Sequence, residues 1–128
     1  MPFSCAIEAF RIANLAAEKE LYRWQLACEG GDHANSSNGT TTKVDNGWDD
    51  RLTDSDIIVV AGLDAKRHAT PAIKGWLRWN DTHTRGKIGA ICCGAYVLAE
   101  AGLLGGKSCA IHWEYHDAFM EDHPEVDL

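Results

Sequence analysis

Apolar side chains at Phe3, Ile7, Phe10, Ile12, Leu15 and Ala16 recur at helical spacing, with Glu8, Arg11, Asn14, Glu18 and Lys19 between them. The spacing predicts a helix over Phe3–Lys19. The period then changes to two: Tyr22, Trp24, Leu26 and Cys28 alternate with polar neighbours, which predicts a strand over Tyr22–Cys28. Gly30 to Asn38 is polar and reads as a loop, and Asn38-Gly39 is a turn signal leading into a short strand over Thr40–Val44. Asp45–Asp54 reads as irregular or as one helical turn.

The second half of the chain is more apolar. Ile57-Ile58-Val59-Val60-Ala61, closed by Gly62, is a β-branched run of the kind found in strands buried on both faces of a parallel sheet. Thr70-Pro71 supplies an N-cap followed by proline at the first helical position, opening a helix to about His83. Its apolar stripe is Ile73, Trp76, Leu77 and Trp79. Arg85-Gly86 ends that helix, and Lys87–Ile91 is expected as a second buried strand. Ala95–Ala101 is helical and stopped by Gly102. Ser108–Ile111 reads as a short strand, Trp113–Glu121 as a helix, and Val126–Leu128 as the start of a last strand. Strands alternating with helices across short connections make an α/β pattern, and no linker interrupts it, so a single domain over residues 1–128 is expected.

Composition narrows the function classes. The 128 residues are 45% hydrophobic with a net charge of −7, enough apolar material for one core. An acidic chain is poorly suited to gripping a phosphate backbone on its own. No apolar run approaches the roughly 20 residues of a membrane helix, and no signal-peptide pattern is visible. Five cysteines, two of them adjacent, argue against a disulfide framework and for a reducing cytoplasm.

The chemically distinctive stretch is Gly89-Ala90-Ile91-Cys92-Cys93-Gly94-Ala95-Tyr96, where a strand runs straight into a helix with Cys92 at the corner. Small neighbours permit the strained backbone that such a corner requires. The helix N-terminus favours thiolate at Cys92, and the Cys93 backbone N–H is a candidate oxyanion donor. Cys5, Cys28 and Cys109 are expected to be packed.

These residues carry a resemblance. The run Ile91-Cys92-Cys93-Gly94-Ala95-Tyr96-Val97-Leu98-Ala99-Glu100-Ala101-Gly102-Leu103-Leu104-Gly105-Gly106, followed by His112-Trp113, Phe119 and His123-Pro124-Glu125-Val126, resembles the class I glutamine amidotransferase-like (ThiJ/PfpI) superfamily. Within it, the chain is most similar to the N-terminal domain of AraC-family transcriptional regulators of the GlxA type, to which Phe3–Asn14, Leu21-Tyr22-Arg23-Trp24, Ser37-Asn38-Gly39 and the Val60-Ala61-Gly62 turn before Arg67-His68 also fit. The resemblance implies a flavodoxin-like three-layer sandwich with a mostly parallel sheet. It also implies that the family's first strand, its C-terminal strand and helix, and a helix-turn-helix domain lie outside these 128 residues.

The same resemblance nominates His112 as the proton-shuttling partner of Cys92, and Gly62 or Leu63 as a second oxyanion donor. Two departures count against turnover. The acidic residue that contacts the cysteine in ThiJ/PfpI enzymes falls at about Pro2, and Cys93 stands where those enzymes often have histidine. His112 beside Trp113 also has a purely structural reading as a hydrogen-bonded core histidine. The favoured expectation is a non-catalytic, ligand-sensing and dimerisation domain of an AraC-type regulator. Its partners would be a small-molecule effector, a second copy of itself and, through a helix-turn-helix domain, DNA. The alternative is a cysteine-dependent hydratase, amidase or glyoxalase-like enzyme acting on a small molecule.

No cofactor or metal is expected. Gly105-Gly106-Lys107-Ser108 lacks a glycine at Ala101 and follows a helix, so it is a turn and not a phosphate loop. His112 and His116 have metal-ligand spacing, but Trp113 stands where a zinc protease needs glutamate.

Overall fold

In this computed structural model, residues 2–48 and 54–128 are described. They gather into two compact units, Met1–Gly47 and Trp48–Leu128. Of the irregular stretch expected over Asp45–Asp54, residues 49–53 lie outside the described residues.

The first unit opens with helix α1, Pro2–Ala17, close to the predicted span. None of its residues is buried, and Cys5 is exposed rather than packed. The strand expected over Tyr22–Cys28 does not form; the segment makes a single bridge, Ala27 with Asn46. A side chain takes the place of a neighbouring strand. Asn14 Oδ1 accepts from the N–H groups of Leu21 and Tyr22, both at 2.8 Å, and its Nδ2 donates to the Tyr22 carbonyl at 2.8 Å. The alternating aromatics pack on a helix and not in a sheet, with Tyr22 and Trp24 centred 5.1 and 6.5 Å from the Phe10 ring of α1. Conversely, the predicted loop over Gly30–Asn38 contains strand β1, His33–Asn35, paired antiparallel with β2, Thr41–Lys43. β2 falls inside the strand expected over Thr40–Val44, while β1 is short and mostly exposed, so no hydrophobic alternation announces it. Turn chemistry holds the pair: Asn38 Oδ1 accepts from Thr40 N–H at 3.0 Å, and Gly39 sits at φ +86°.

In the second unit, strand β3, Ile57–Ala61, and strand β4, Ile88–Cys92, pair in parallel with Ile57 opposite Ile88 and Ala61 opposite Cys92. The connection passes through a four-residue helix α2, Ala65–His68, which the pattern did not predict, and through α3, Pro71–His83. Thr70 Oγ1 accepts from Ile73 N–H at the start of α3, as the Thr-Pro signal required. Helix α4, Gly94–Glu100, packs on both strands. It ends in a Schellman arrangement, with Gly102 at φ +77° and Leu103 N–H donating to the Leu98 carbonyl at 3.0 Å.

Burial on both faces of β3 and β4 is not observed. Ile57 and Val59 are buried while Ile58 is 44% exposed, because α4 packs on the side to which the first two point. The core is Ile57, Val59, Ile73, Trp76, Leu77, Val97, Leu98, Phe119 and Val126. The predicted helix over Trp113–Glu121 is a 3-10 turn, Trp113–Tyr115, followed by α5, His116–Asp122. The short strands expected at Ser108–Ile111 and Val126–Leu128 reduce to one parallel bridge, Ser108 with Asp127.

Two glycines give opposite expectations. A Cβ on Gly94 would stand 2.3 Å from the Val59 carbonyl oxygen, whereas one on Gly75, inside α3, would meet nothing within 4 Å. Gly94→Ala is expected to cost about 2–3 kcal/mol through overpacking against backbone. Gly75→Ala is expected to stabilise by about 0.5–1 kcal/mol through helix propensity. Urea unfolding of the two variants checks both.

Candidate functional site

The corner between β4 and α4 is built by three consecutive residues. Cys92 has φ +58°, a left-handed conformation that costs a non-glycine residue on the order of 1–3 kcal/mol. Cys93 N–H donates to the Ala61 carbonyl at 3.1 Å, tying the turn to the end of β3. Gly94 then lets α4 start against the Val59 carbonyl, where any side chain would collide.

Two thiols with different surroundings result. Cys92 is half-buried, while Cys93 is only 1% exposed. Burial pushes the Cys93 thiol up to about 11, with smaller contributions from the neighbouring Cys92 and from Glu114. Cys93 is therefore protonated at neutral pH. Its backbone N–H, nominated as an oxyanion donor, is engaged by Ala61 in this conformation.

His112 is half-buried and stands before the 3-10 turn. Its Nδ1 accepts from Glu114 N–H at 3.3 Å, so the imidazole caps that turn. The ring lies 5.7 Å from Trp113 and 6.3 Å from Tyr115. Among the described residues no hydrogen bond joins His112 to Cys92. Gly62 and Leu63 lie just past β3, both exposed. No group of three or more His, Cys, Asp or Glu side chains among the described residues could hold a metal ion.

A second polar cluster was not legible in the sequence. Lys66 of α2 and Tyr96 of α4 converge on one oxygen of Asp122 at the end of α5: Lys66 Nζ lies 2.8 Å and the Tyr96 hydroxyl 2.5 Å from Asp122 Oδ2. These donors hold the Asp122 carboxyl below the usual carboxylate range, Lys66 first and Tyr96 second. Asp122 in turn raises the Lys66 ammonium, while burial and then the bond to Asp122 raise the Tyr96 phenol. Beside them, His123 places Nε2 3.1 Å from Glu100 and Nδ1 3.4 Å from Glu125. The partners are up to 56 positions apart, so no local spacing could have revealed them. The cluster borders a cleft of about 540 Å³ between α2, Tyr96, Tyr115 and α5.

A parallel strand pair that delivers a cysteine through a left-handed corner into a helix defines an elbow-bearing α/β protein. The chain belongs to the DJ-1/PfpI family, whose model matches residues 5–126, and it has that family's mixed α/β, flavodoxin-like fold. It is 38% identical over all its 128 residues to the HTH-type transcriptional regulator CdhR of Pseudomonas aeruginosa, covering 38% of that protein. It is 35% identical over 123 residues, 96% of the chain, to the regulator GbdR of the same species, covering 33% of it. It is also 30% identical over 127 residues, 99% of the chain, to the regulator GlxA of Rhizobium meliloti, covering 39% of it. The chain thus spans between a third and two-fifths of these relatives. Among solved structures, a Vibrio parahaemolyticus protein provisionally described as a transcriptional regulator superposes with a TM-score of 0.76 at 22% identity. The match covers 99% of this chain and 68% of that one, a likeness of fold.

The Asp122 cluster sets a pH dependence. A carboxyl held below its ordinary value contributes stability above the unfolded pKa of about 4, and that contribution is lost as pH falls through the folded value. The urea midpoint of the wild type should exceed that of Asp122→Asn at pH 6, and the gap should close towards pH 2–3. A gap independent of pH would mean that the charge on Asp122 contributes nothing.

Proposed function

We propose that this chain is the ligand-sensing and dimerisation domain of an AraC-type transcriptional regulator and that Cys92 performs no turnover. In this reading the partners are a small-molecule effector and a second copy of the chain. DNA is contacted through a helix-turn-helix domain other than this one, in the cytoplasm. No helix among the described residues is long and apolar enough to cross a membrane.

The observation that carries the reading is the state of His112. A cysteine enzyme needs a base within reach of its thiol. Here Nδ1 accepts from Glu114 N–H in capping the turn at Trp113–Tyr115, which leaves the neutral ring's proton on Nε2, and among the described residues no hydrogen bond joins the ring to Cys92. A second thiol follows Cys92, and a buried, protonated thiol cannot act as a general base. Three relatives matched over nearly the whole chain are regulators by name, which supports the same direction. A net charge of −7 supports leaving DNA contact to another domain.

The alternative is the cysteine-dependent enzyme, favoured by the corner geometry alone. The two are separated by incubating the chain with a small amide, a nitrile and methylglyoxal and following each by mass spectrometry. Consumption no faster than in Cys92→Ser is the expected result. Consumption that disappears in Cys92→Ser would establish the enzyme instead.

A further inference from the structure

The cleft beside the Asp122 cluster is lined by charged and aromatic side chains together, and the corner cysteine is not among its lining residues. At about 540 Å³ it lies within the range of small-molecule sites and is larger than a bare ion needs. Ala65, Ala118 and the rings of Tyr96 and Tyr115 give it apolar wall. Its charged lining divides into partnered and unpartnered groups. Lys66 and Asp122 neutralise each other at 2.8 Å. Arg67, the next residue of α2, has no ion pair or side-chain hydrogen bond among the described residues, although Asp64 lies three positions before it.

The backbone accounts for that separation. Asp64 precedes α2 in a left-handed conformation, φ +62° and ψ +27°, and its side chain makes no capping bond. An acid and a base three apart on a regular helix would face each other. Here the turn leaves both of them as separate lining groups of the cleft, at the cost of a strained residue.

We propose that this cleft binds a small monocarboxylate with an apolar body, its carboxylate on the Arg67 guanidinium and its body against Tyr115 and Tyr96. The fork of an arginine matches a carboxylate in two parallel hydrogen bonds. Among the described residues the cleft is lined by two acids and two bases, so one added negative charge meets the one cation among them that has no partner. A second added charge would meet the unpaired Asp64. The site therefore selects monoanions over dianions. This deepens the sensing reading and rests on it for its biological use, while the binding itself stands on the cleft alone.

The test is a titration of the ¹⁵N-labelled 128-residue chain with benzoate and with isovalerate, against benzamide as the neutral isostere and succinate as the dianion. Benzoate and isovalerate are expected to give saturable shifts at Lys66, Arg67, Tyr96, Tyr115 and Asp122. Benzamide and succinate should bind at least about ten-fold more weakly, as should benzoate to Arg67→Ala, the loss of a charged hydrogen-bond pair. Cys92→Ser should bind benzoate as the wild type does. Arg67 is exposed, so its replacement leaves the core intact. Equal binding of benzamide, unchanged affinity in Arg67→Ala, no saturable shifts with either acid, or shifts centred on Cys92–Gly94 would overturn the proposal. Carboxylate binding at the cleft in a chain that also turns over a substrate through Cys92 would retire the sensing reading and leave the cleft in place. Failure of both acids in a chain without turnover would do the reverse.

Discussion

Everything in the second unit depends on how closely α4 approaches β3. Gly94 stands where a single added carbon would lie 2.3 Å from the Val59 carbonyl oxygen, and Cys93 N–H is bonded to the Ala61 carbonyl one turn of the corner earlier. With the helix anchored that tightly, the chain leaving β4 has one residue in which to reverse direction, and Cys92 takes up the left-handed conformation that allows it. The strain is offset by burial: every residue from Cys93 to Ala99 is buried, and Val97 and Leu98 lie in the same core as Leu77 and Phe119.

That constraint separates scaffold from chemistry. It needs glycine at position 94, but it does not by itself supply a base, an acid or an open oxyanion donor. His112 is drawn into the local hydrogen bonding of its own turn, and the N–H of Cys93 into the sheet. The same anchoring places Tyr96, in the first turn of α4, where its hydroxyl reaches Asp122 and its ring borders the cleft against α2. A corner that elsewhere in nature serves as a nucleophile's pedestal thus positions, here, one wall of the cleft.

The sequence was informative wherever local rules and tertiary packing agree. Thr70-Pro71 capped α3, Gly102 closed α4, and the small residues around Cys92 marked the corner, because each is a statement about backbone conformation within a few positions. It misled where side chains substituted for backbone. Tyr22 and Trp24 alternate like a strand but pack on Phe10, and Asn14 satisfies the backbone groups a neighbouring strand would have taken. Of the β1–β2 hairpin, the Asn38-Gly39 turn and the strand after it were legible, whereas β1 was not, because three mostly exposed residues carry no hydrophobic period. Of the candidate site, Cys92 was legible as a corner from its neighbours. The Lys66–Asp122–Tyr96 convergence was not, since it joins three helices through contacts that no spacing encodes.

The role of His112 is the point on which sensing and catalysis divide, and the alkylation of Cys92 by iodoacetamide as a function of pH measures it most directly. His112→Asn keeps an acceptor for Glu114 N–H and removes the imidazole. If the imidazole is a cap, the pH–rate profile of Cys92 should be the same in wild type and variant. A Cys92 profile that changes shape in His112→Asn, or moves by a unit or more, would show a coupled Cys92–His112 pair and contradict the cap.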